Sequence, residues 1–123
     1  MDKAATNKAY LQQVVKASNN SGAELFLSIH CNASTAHTGH GVECWTYKGN
    51  KHEAAKRICA NMAKLGFRNR GIKDGRNLYV VKNTTAKAIL IEMFFLDNYT
   101  DRKLYLEHGV DKIAATIAEA IGK

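Results

Sequence analysis

The sequence predicts a single α/β domain built on a twisted, largely parallel sheet flanked by helices. Three observations carry that expectation. Leu25-Phe26-Leu27-Ser28-Ile29 and Ala88-Ile89-Leu90-Ile91 are mainly apolar runs of strand length. Val110, Ile113, Ala114, Ile117, Ala118 and Ile121 recur at helical spacing and form one apolar stripe. Strand-like and helix-like segments alternate along the chain, which implies helices layered on a buried sheet.

Taken in order, residues 3–19 carry apolar side chains at Leu11, Val14 and Val15. They end in Ser18-Asn19-Asn20-Ser21-Gly22, which reads as a helix end followed by a turn. A strand is expected next, over Ala23-Glu24-Leu25-Phe26-Leu27-Ser28-Ile29. Gly41-Val42-Glu43-Cys44-Trp45-Thr46-Tyr47 is rich in β-branched and aromatic residues and reads as another strand. In Asn50-Lys51-His52-Glu53 the polar residues have the spacing of a capping box, which would satisfy the first free amides of a helix. Behind it, Ala55, Ile58, Cys59 and Met62 share one face, and Gly66 is placed to end the helix. Leu78-Tyr79-Val80-Val81 and Ala88-Ile89-Leu90-Ile91 read as two further strands, and the Val110–Ile121 stripe as the last helix.

A chain of 123 residues fits one domain, and its 46% hydrophobic and 24% charged residues exclude a disordered or fibrous protein. No apolar run approaches the roughly 18 residues of a membrane span. Met1-Asp2-Lys3-Ala4-Ala5 lacks the apolar core of a secretory signal, so an exported role calls for an upstream segment or for phage-driven lysis. Eighteen basic residues against eleven acidic ones give a formal charge of +7, which favours polyanions. The charge is scattered, so a solvated surface explains it as well as a binding face does. No basic helix, helix-turn-helix spacing or aromatic RNA-binding motif accompanies it, which argues against nucleic acid as a partner. Cys31, Cys44 and Cys59 are odd in number and lack C-x-x-C spacing, so they read as small buried apolar residues in a reduced compartment.

Two polar residues stand out by position. His30 ends one apolar run and Glu92 ends another, and in open α/β sheets ligand sites form outside the carboxyl ends of strands. A carboxylate between Ile91 and Met93 is costly to desolvate unless it is paired, protonated or metal-linked. Burial raises its pKa toward the range in which a general base works near neutrality. The competing readings are a Glu92 paired with a buried Lys or Arg, or one pointing to solvent, and a His30 that is hydrogen-bonded in the core. Asn32 and Ser34 read as turn formers. His37 and His40, beside Gly39 and Gly41, read as solvent-exposed histidines of a polar loop, although their spacing permits a shared metal. Cys31 as a thiol nucleophile has no supporting sequence around it.

Ala23-Glu24-Leu25-Phe26-Leu27-Ser28-Ile29-His30-Cys31-Asn32-Ala33-Ser34 resembles the segment bearing the last zinc-binding histidine of the LytC-type N-acetylmuramoyl-L-alanine amidases, the amidase-3 family. Gly41–Tyr47 is similar to the next strand of that family. Arg70-Gly71-Ile72-Lys73 with Leu78–Val81 is similar to the stretch before its catalytic strand. Ala88-Ile89-Leu90-Ile91-Glu92-Met93-Phe94-Phe95-Leu96-Asp97-Asn98 resembles that strand itself. The match covers essentially residues 1–123 and is closest to clostridial and phage endolysin catalytic domains.

The resemblance implies a peptidoglycan hydrolase that cuts the amide between N-acetylmuramic acid and L-alanine with a zinc-activated water, acting at the cell wall or outside the cell. It implies His30 as a zinc ligand, Glu92 as general base and acid, and Asn32 as a residue shaping the substrate site. Peptidoglycan is the implied partner, with anionic wall polymers beside it and neither nucleic acid nor membrane. The family's other histidine and glutamate ligands lie upstream, beginning with a Gly-His-Gly type segment after the first strand. No such segment precedes His30 here, where the residues start at a helix, and Gly39-His40-Gly41 follows it. The expectation is therefore an N-terminally incomplete catalytic domain with an incomplete zinc site and impaired activity, or else a non-catalytic wall-binding fragment. Lys87 stands where the family often has proline.

Overall fold

The computed structural model describes residues 3–122, with side-chain surroundings from residue 7 to 122. Part of the N-terminal stretch tested for a secretory signal, Met1 and Asp2, thus lies outside the described residues. The elements are α1 (Lys3–Ser21), β1 (Leu25–Asn32), β2 (Val42–Thr46), a 3-10 turn (Tyr47–Gly49), α2 (Glu53–Lys64), β3 (Asn69–Asp74), α3 (Tyr79–Asn83), β4 (Lys87–Phe95), α4 (Tyr99–His108) and α5 (Val110–Ile121).

The four strands form one sheet in the order β1-β4-β2-β3. β1 runs parallel to β4 and β2 parallel to β3, whereas β2 and β4 are antiparallel. The expected parallel character holds for two of the three pairings, and the sheet is mixed. The reason is local. Loop 33–41 joins β1 to β2 with no helix to carry the chain back across the sheet, so β2 returns in the opposite direction.

Alternate residues of β4 serve two cores, which explains its unbroken apolar run. Ile89 and Ile91 pack with Val42 and Cys44 of β2 against Ala55, Ile58, Cys59 and Met62 of α2 and Ile113, Ile117 and Ala120 of α5. Ala88 and Leu90 pack on the other face with Val15 of α1 and Val80 and Val81 of α3. Of the predicted α5 stripe, Ile113 and Ile117 are buried, Ile121 is partly buried, and Val110, Ala114 and Ala118 are exposed; the helix buries Thr116 and Ala120 instead. Each fully buried isoleucine there contributes about 1.5–3 kcal/mol. α1 is fastened at its end by Asn19, whose Oδ1 accepts from Thr85 N at 2.9 Å and whose Nδ2 donates to Asn83 O at 3.2 Å.

Several expectations need correction. Leu78–Val81 is not a strand. Leu78 N donates to Gly75 O and Lys82 N to Leu78 O, so the turn after β3 winds directly into α3. The helix buries the adjacent Val80 and Val81 together, where a strand would send them to opposite faces. The capping box is absent as well. His52 occupies the N-cap of α2 without a side-chain hydrogen bond, Asn50 uses its carbonyl to accept from Thr46 Oγ1, and Glu53 pairs with Lys56. Cys44 and Cys59 are buried as expected, but Cys31 is exposed near the end of β1. β3 and α4 lie where no element was predicted. Among the described residues no helix is long and apolar enough to cross a membrane.

Candidate functional site

His30 and Glu92 are direct register partners on the parallel strands β1 and β4. Paired residues of neighbouring strands project from the same face of a sheet. His30 continues the row of Phe26 and Ser28, while Glu92 continues that of Ala88 and Leu90, so both belong to the α1/α3 face. The pairing slips by one residue directly afterwards: Asn32 partners Phe95. This bulge bends the carboxyl end of the strand pair at the site, a common way to re-aim side chains next to a reactive group.

Glu43 of β2 stands opposite Glu92 in the antiparallel pairing, which sets His30, Glu92 and Glu43 side by side across three adjacent strands. Sequence reasoning passed over Glu43. Its signal was a carboxylate inside the otherwise strand-forming run Val42–Tyr47. It is only 3% exposed, and its two oxygens are satisfied separately. Arg70 Nε donates to Oε1 at 2.6 Å, and Trp45 Nε1 donates to Oε2 at 2.8 Å. The Arg70 guanidinium also lies 4.9 Å from the centroid of the Phe95 ring. Glu43 is thus held as a buried, paired anion beside the site.

Glu92 has no such pairing. It is half-buried, no salt bridge reaches it among the described residues, and its Oε2 is buried without a hydrogen-bond partner. Burial pushes its carboxyl up to about 7, and the neighbouring Glu43 charge pushes the same way. Neither competing reading of Glu92, a buried ion pair or a solvated strand edge, describes this environment. A carboxyl poised near neutrality can take and return a proton at physiological pH. The His30 imidazole is exposed, with Nε2 2.7 Å from Ser28 Oγ.

The loop after β1 closes the end of the sheet. Ser34 N donates to Asp97 Oδ2 at 3.2 Å, and His37 Nδ1 lies 2.7 Å from the same oxygen. The His37 side chain is 72% exposed and His40 is exposed too, so the two stand in solvent as expected. Asn32 Oδ1 accepts from Ala33 N at 2.8 Å, in keeping with a turn former. The deeper anchor is Asp101, 2% exposed, whose Oδ2 accepts from Gly41 N at 2.8 Å and from Phe95 N at 2.9 Å. One carboxylate therefore ties the end of the loop to the end of β4. Neither Asp97 nor Asp101 was singled out in the sequence, because each is one polar residue among several in the stretch 97–103.

Catalytic zinc takes three protein ligands and leaves a position open for water. Among the described residues no group of three or more His, Cys, Asp and Glu side chains could hold a metal ion. His30 supplies one imidazole, and Glu92 beside it stands as the expected proton acceptor, outside the ligand set. These residues fit part of such a site, and a full donor set is not present among them.

Comparison with known proteins places the chain in a family. The family model described as Amidase_3, N-acetylmuramoyl-L-alanine amidase, matches residues 1–123. An uncharacterized protein of Clostridium perfringens is 42% identical over 115 residues, covering 89% of this chain and 34% of its own length. The N-acetylmuramoyl-L-alanine amidase LytC of Bacillus subtilis is 36% identical over 115 residues, covering 87% of this chain and 23% of its own. Among solved structures, the catalytic domain of the CD27L endolysin targeting Clostridia difficile superposes with a TM-score of 0.84 at 32% identity, over 93% of this chain and 62% of that one. The chain thus spans about a third or less of these two curated relatives, and just over three-fifths of the solved catalytic domain.

Proposed function

We propose that this chain, which belongs to the N-acetylmuramoyl-L-alanine amidase family Amidase_3, carries the general-base half of a peptidoglycan amidase centre that cuts the bond between N-acetylmuramic acid and L-alanine. The observation that carries this reading is the register pairing of His30 with Glu92 on one face of the sheet, with Glu92 unpaired and titrating at about 7. Near neutrality the Glu92 carboxylate takes a proton from the water that attacks the scissile carbonyl. It then passes one to the departing amine nitrogen of L-alanine. The unpartnered Oε2 suits that exchange, because no standing hydrogen bond has to break first. His30 would supply one ligand to a zinc ion, whose chemistry when bound is to polarise the carbonyl and acidify the water. Asn32, two residues after His30 at the end of β1, would help shape the substrate site. Burial keeps the Glu92 pKa high first of all, and the Glu43 carboxylate, held in place behind it by Trp45 and Arg70, pushes the same way.

Among the described residues the donor set for a zinc site is incomplete, so without further donors the chain turns over slowly. The test is release of new α-amino groups from purified sacculi by this chain and its Glu92→Gln variant, with zinc in large excess. Slow, zinc-dependent release that Glu92→Gln abolishes is the expected result. Equal release by both forms would refute the role of Glu92. Retained sacculus binding with no release by either form at any zinc concentration would instead establish a wall-binding module.

A further inference from the structure

We propose that Cys44 and Cys59 form an intramolecular disulfide when the protein meets a peroxide, stapling α2 to β2 at the residue beside Glu43. The two Sγ atoms lie 3.7 Å apart, and both side chains are buried, at 0% and 2% exposure. They belong to elements packed face to face, with Cys44 pointing from β2 into the core and Cys59 pointing from α2 toward it. Their other polar contacts are long: Cys44 Sγ to Ala55 O at 3.9 Å and Cys59 Sγ to Gly71 O at 3.8 Å. Each sulfur therefore has the other as its nearest sulfur-bonding neighbour. Closing to a covalent bond of about 2.05 Å needs an approach of about 1.7 Å, which side-chain rotation and a small helix shift can share.

The pair is also chemically asymmetric. The contact between the thiols holds the Cys59 thiol below its ordinary value and, with burial, pushes the Cys44 thiol up. Cys59 is thus the attacking thiolate. Its sulfur attacks one peroxide oxygen, the O–O bond breaks, and the departing hydroxide leaves as water after taking a proton. The resulting Cys59 sulfenic acid is attacked by the Cys44 sulfur. The S–O bond breaks as the S–S bond forms, and the released hydroxide carries off the Cys44 proton as a second water. Two thiols lose two electrons, and one peroxide becomes two waters. The product is uncharged, so the apolar core around Ala55, Ile58 and Met62 keeps its character. Because Cys44 adjoins Glu43, the staple fixes the strand that sets Glu43 opposite Glu92.

Cys31 is exposed and apart from the pair, so it can be capped first by alkylating the folded protein. The capped protein is then treated with hydrogen peroxide, quenched, unfolded, alkylated and analysed by intact mass and peptide mapping. The expected outcome is simultaneous loss of both remaining alkylation sites, a mass two hydrogens below the reduced form, and a linked peptide joining Cys44 to Cys59. The melting temperature should rise by about 5 °C, because the link closes a loop of known length in the unfolded chain, and dithiothreitol should reverse the rise. Full alkylation of both thiols after peroxide, or oxygen adducts on one of them without a linked peptide, would overturn the proposal. Cys59→Ser and Cys44→Ala should each abolish the temperature rise. A rise that persisted in either variant would overturn it too, and if neither variant folds, the linked peptide in the unsubstituted protein decides alone.

Discussion

Glu43 and Glu92 face each other across the antiparallel pairing of β2 and β4, one buried and paired, the other half-buried and unpaired. Arg70 and Trp45 bind both oxygens of Glu43, whereas Glu92 has no such partners. Burial raises the Glu92 carboxyl first, and the charge of Glu43 beside it pushes the same way. Much of what this site can do follows from that asymmetry.

The first consequence concerns stability in the metal-free chain. A carboxyl raised from 4.5 to about 7 binds more protons folded than unfolded between those values. Its contribution is therefore fully present below the ordinary value and is lost as pH rises through about 7. Urea denaturation at pH 5 and pH 8 should show this group's part as a loss of about 1 kcal/mol at the higher pH, with the half-exposed position limiting the size. Glu92→Gln should remove that difference. A variant with the same pH dependence as the unsubstituted chain would mean that Glu92 is not the raised group.

A second prediction tests the wall behind Glu92. Arg70→Ala removes the cation from a nearly buried carboxylate and leaves Glu43 charged with one indole partner. Breaking such a pair from one side costs about 3 kcal/mol, more than a surface ion pair could. Chemical denaturation should report that loss at neutral pH. A change under about 0.5 kcal/mol would show that solvent, not Arg70, satisfies Glu43.

How far the sequence anticipated this site depends on the kind of signal each residue carried. His30 and Glu92 were legible because each ends an apolar strand run, where open sheets place ligand sites, and Glu92 is in addition flanked by apolar residues that make its burial costly. α5 was legible for the complementary reason, an apolar stripe with helical period. β3 was not, since Asn69-Arg70-Gly71-Ile72-Lys73-Asp74 is mostly polar. As an edge strand pairing with β2 alone, it needs no apolar alternation. The short run Leu78–Val81 misled because its apolar composition suits a strand, while its conformation is set by the turn at Gly75, which hydrogen-bonds it into a helix. Glu43 and Asp101 were hidden by tertiary structure. What makes each important is a partner, Arg70 or the amides of Gly41 and Phe95, that lies 27, 60 or 6 residues away in sequence.

Asp101 gives a third prediction. In Asp101→Ala the amides of Gly41 and Phe95 lose their shared acceptor in a buried place. Two unsatisfied buried donors cost about 2–4 kcal/mol together. Hydrogen exchange should locate the effect: protection should fall at Gly41 and Phe95 and spread through loop 33–41, while α5 is unaffected apart from the global loss. Unchanged protection at both amides would remove Asp101 from its anchoring role.

Gly41 supplies a fourth test by backbone geometry. Its φ of +109° lies where side chains are strained, and a Cβ there would sit 2.3 Å from the Arg68 carbonyl oxygen. Because that neighbour is backbone, it cannot swing away as a flexible side chain would. Gly41→Ala should therefore destabilise the fold by about 2 kcal/mol or more, measured as a lowered denaturation midpoint at unchanged slope. A neutral substitution would mean that the approach of the loop to Arg68 is looser than these distances require.

The last prediction concerns metal uptake. A single imidazole, that of His30, is fewer donors than a zinc ion needs, and among the described residues no group of three His, Cys, Asp or Glu side chains could hold one. Competition against a chromophoric chelator should show only weak zinc binding by the 123-residue chain, and His30→Ala should weaken it further. Adding zinc should also move the Glu92 titration downward, since a cation next to a carboxyl favours its charged form. Tight one-to-one uptake would require donors that the present arrangement keeps apart. His37 and His40, both exposed on loop 33–41 beside the end of β1, are the groups whose substitution would then have to abolish it.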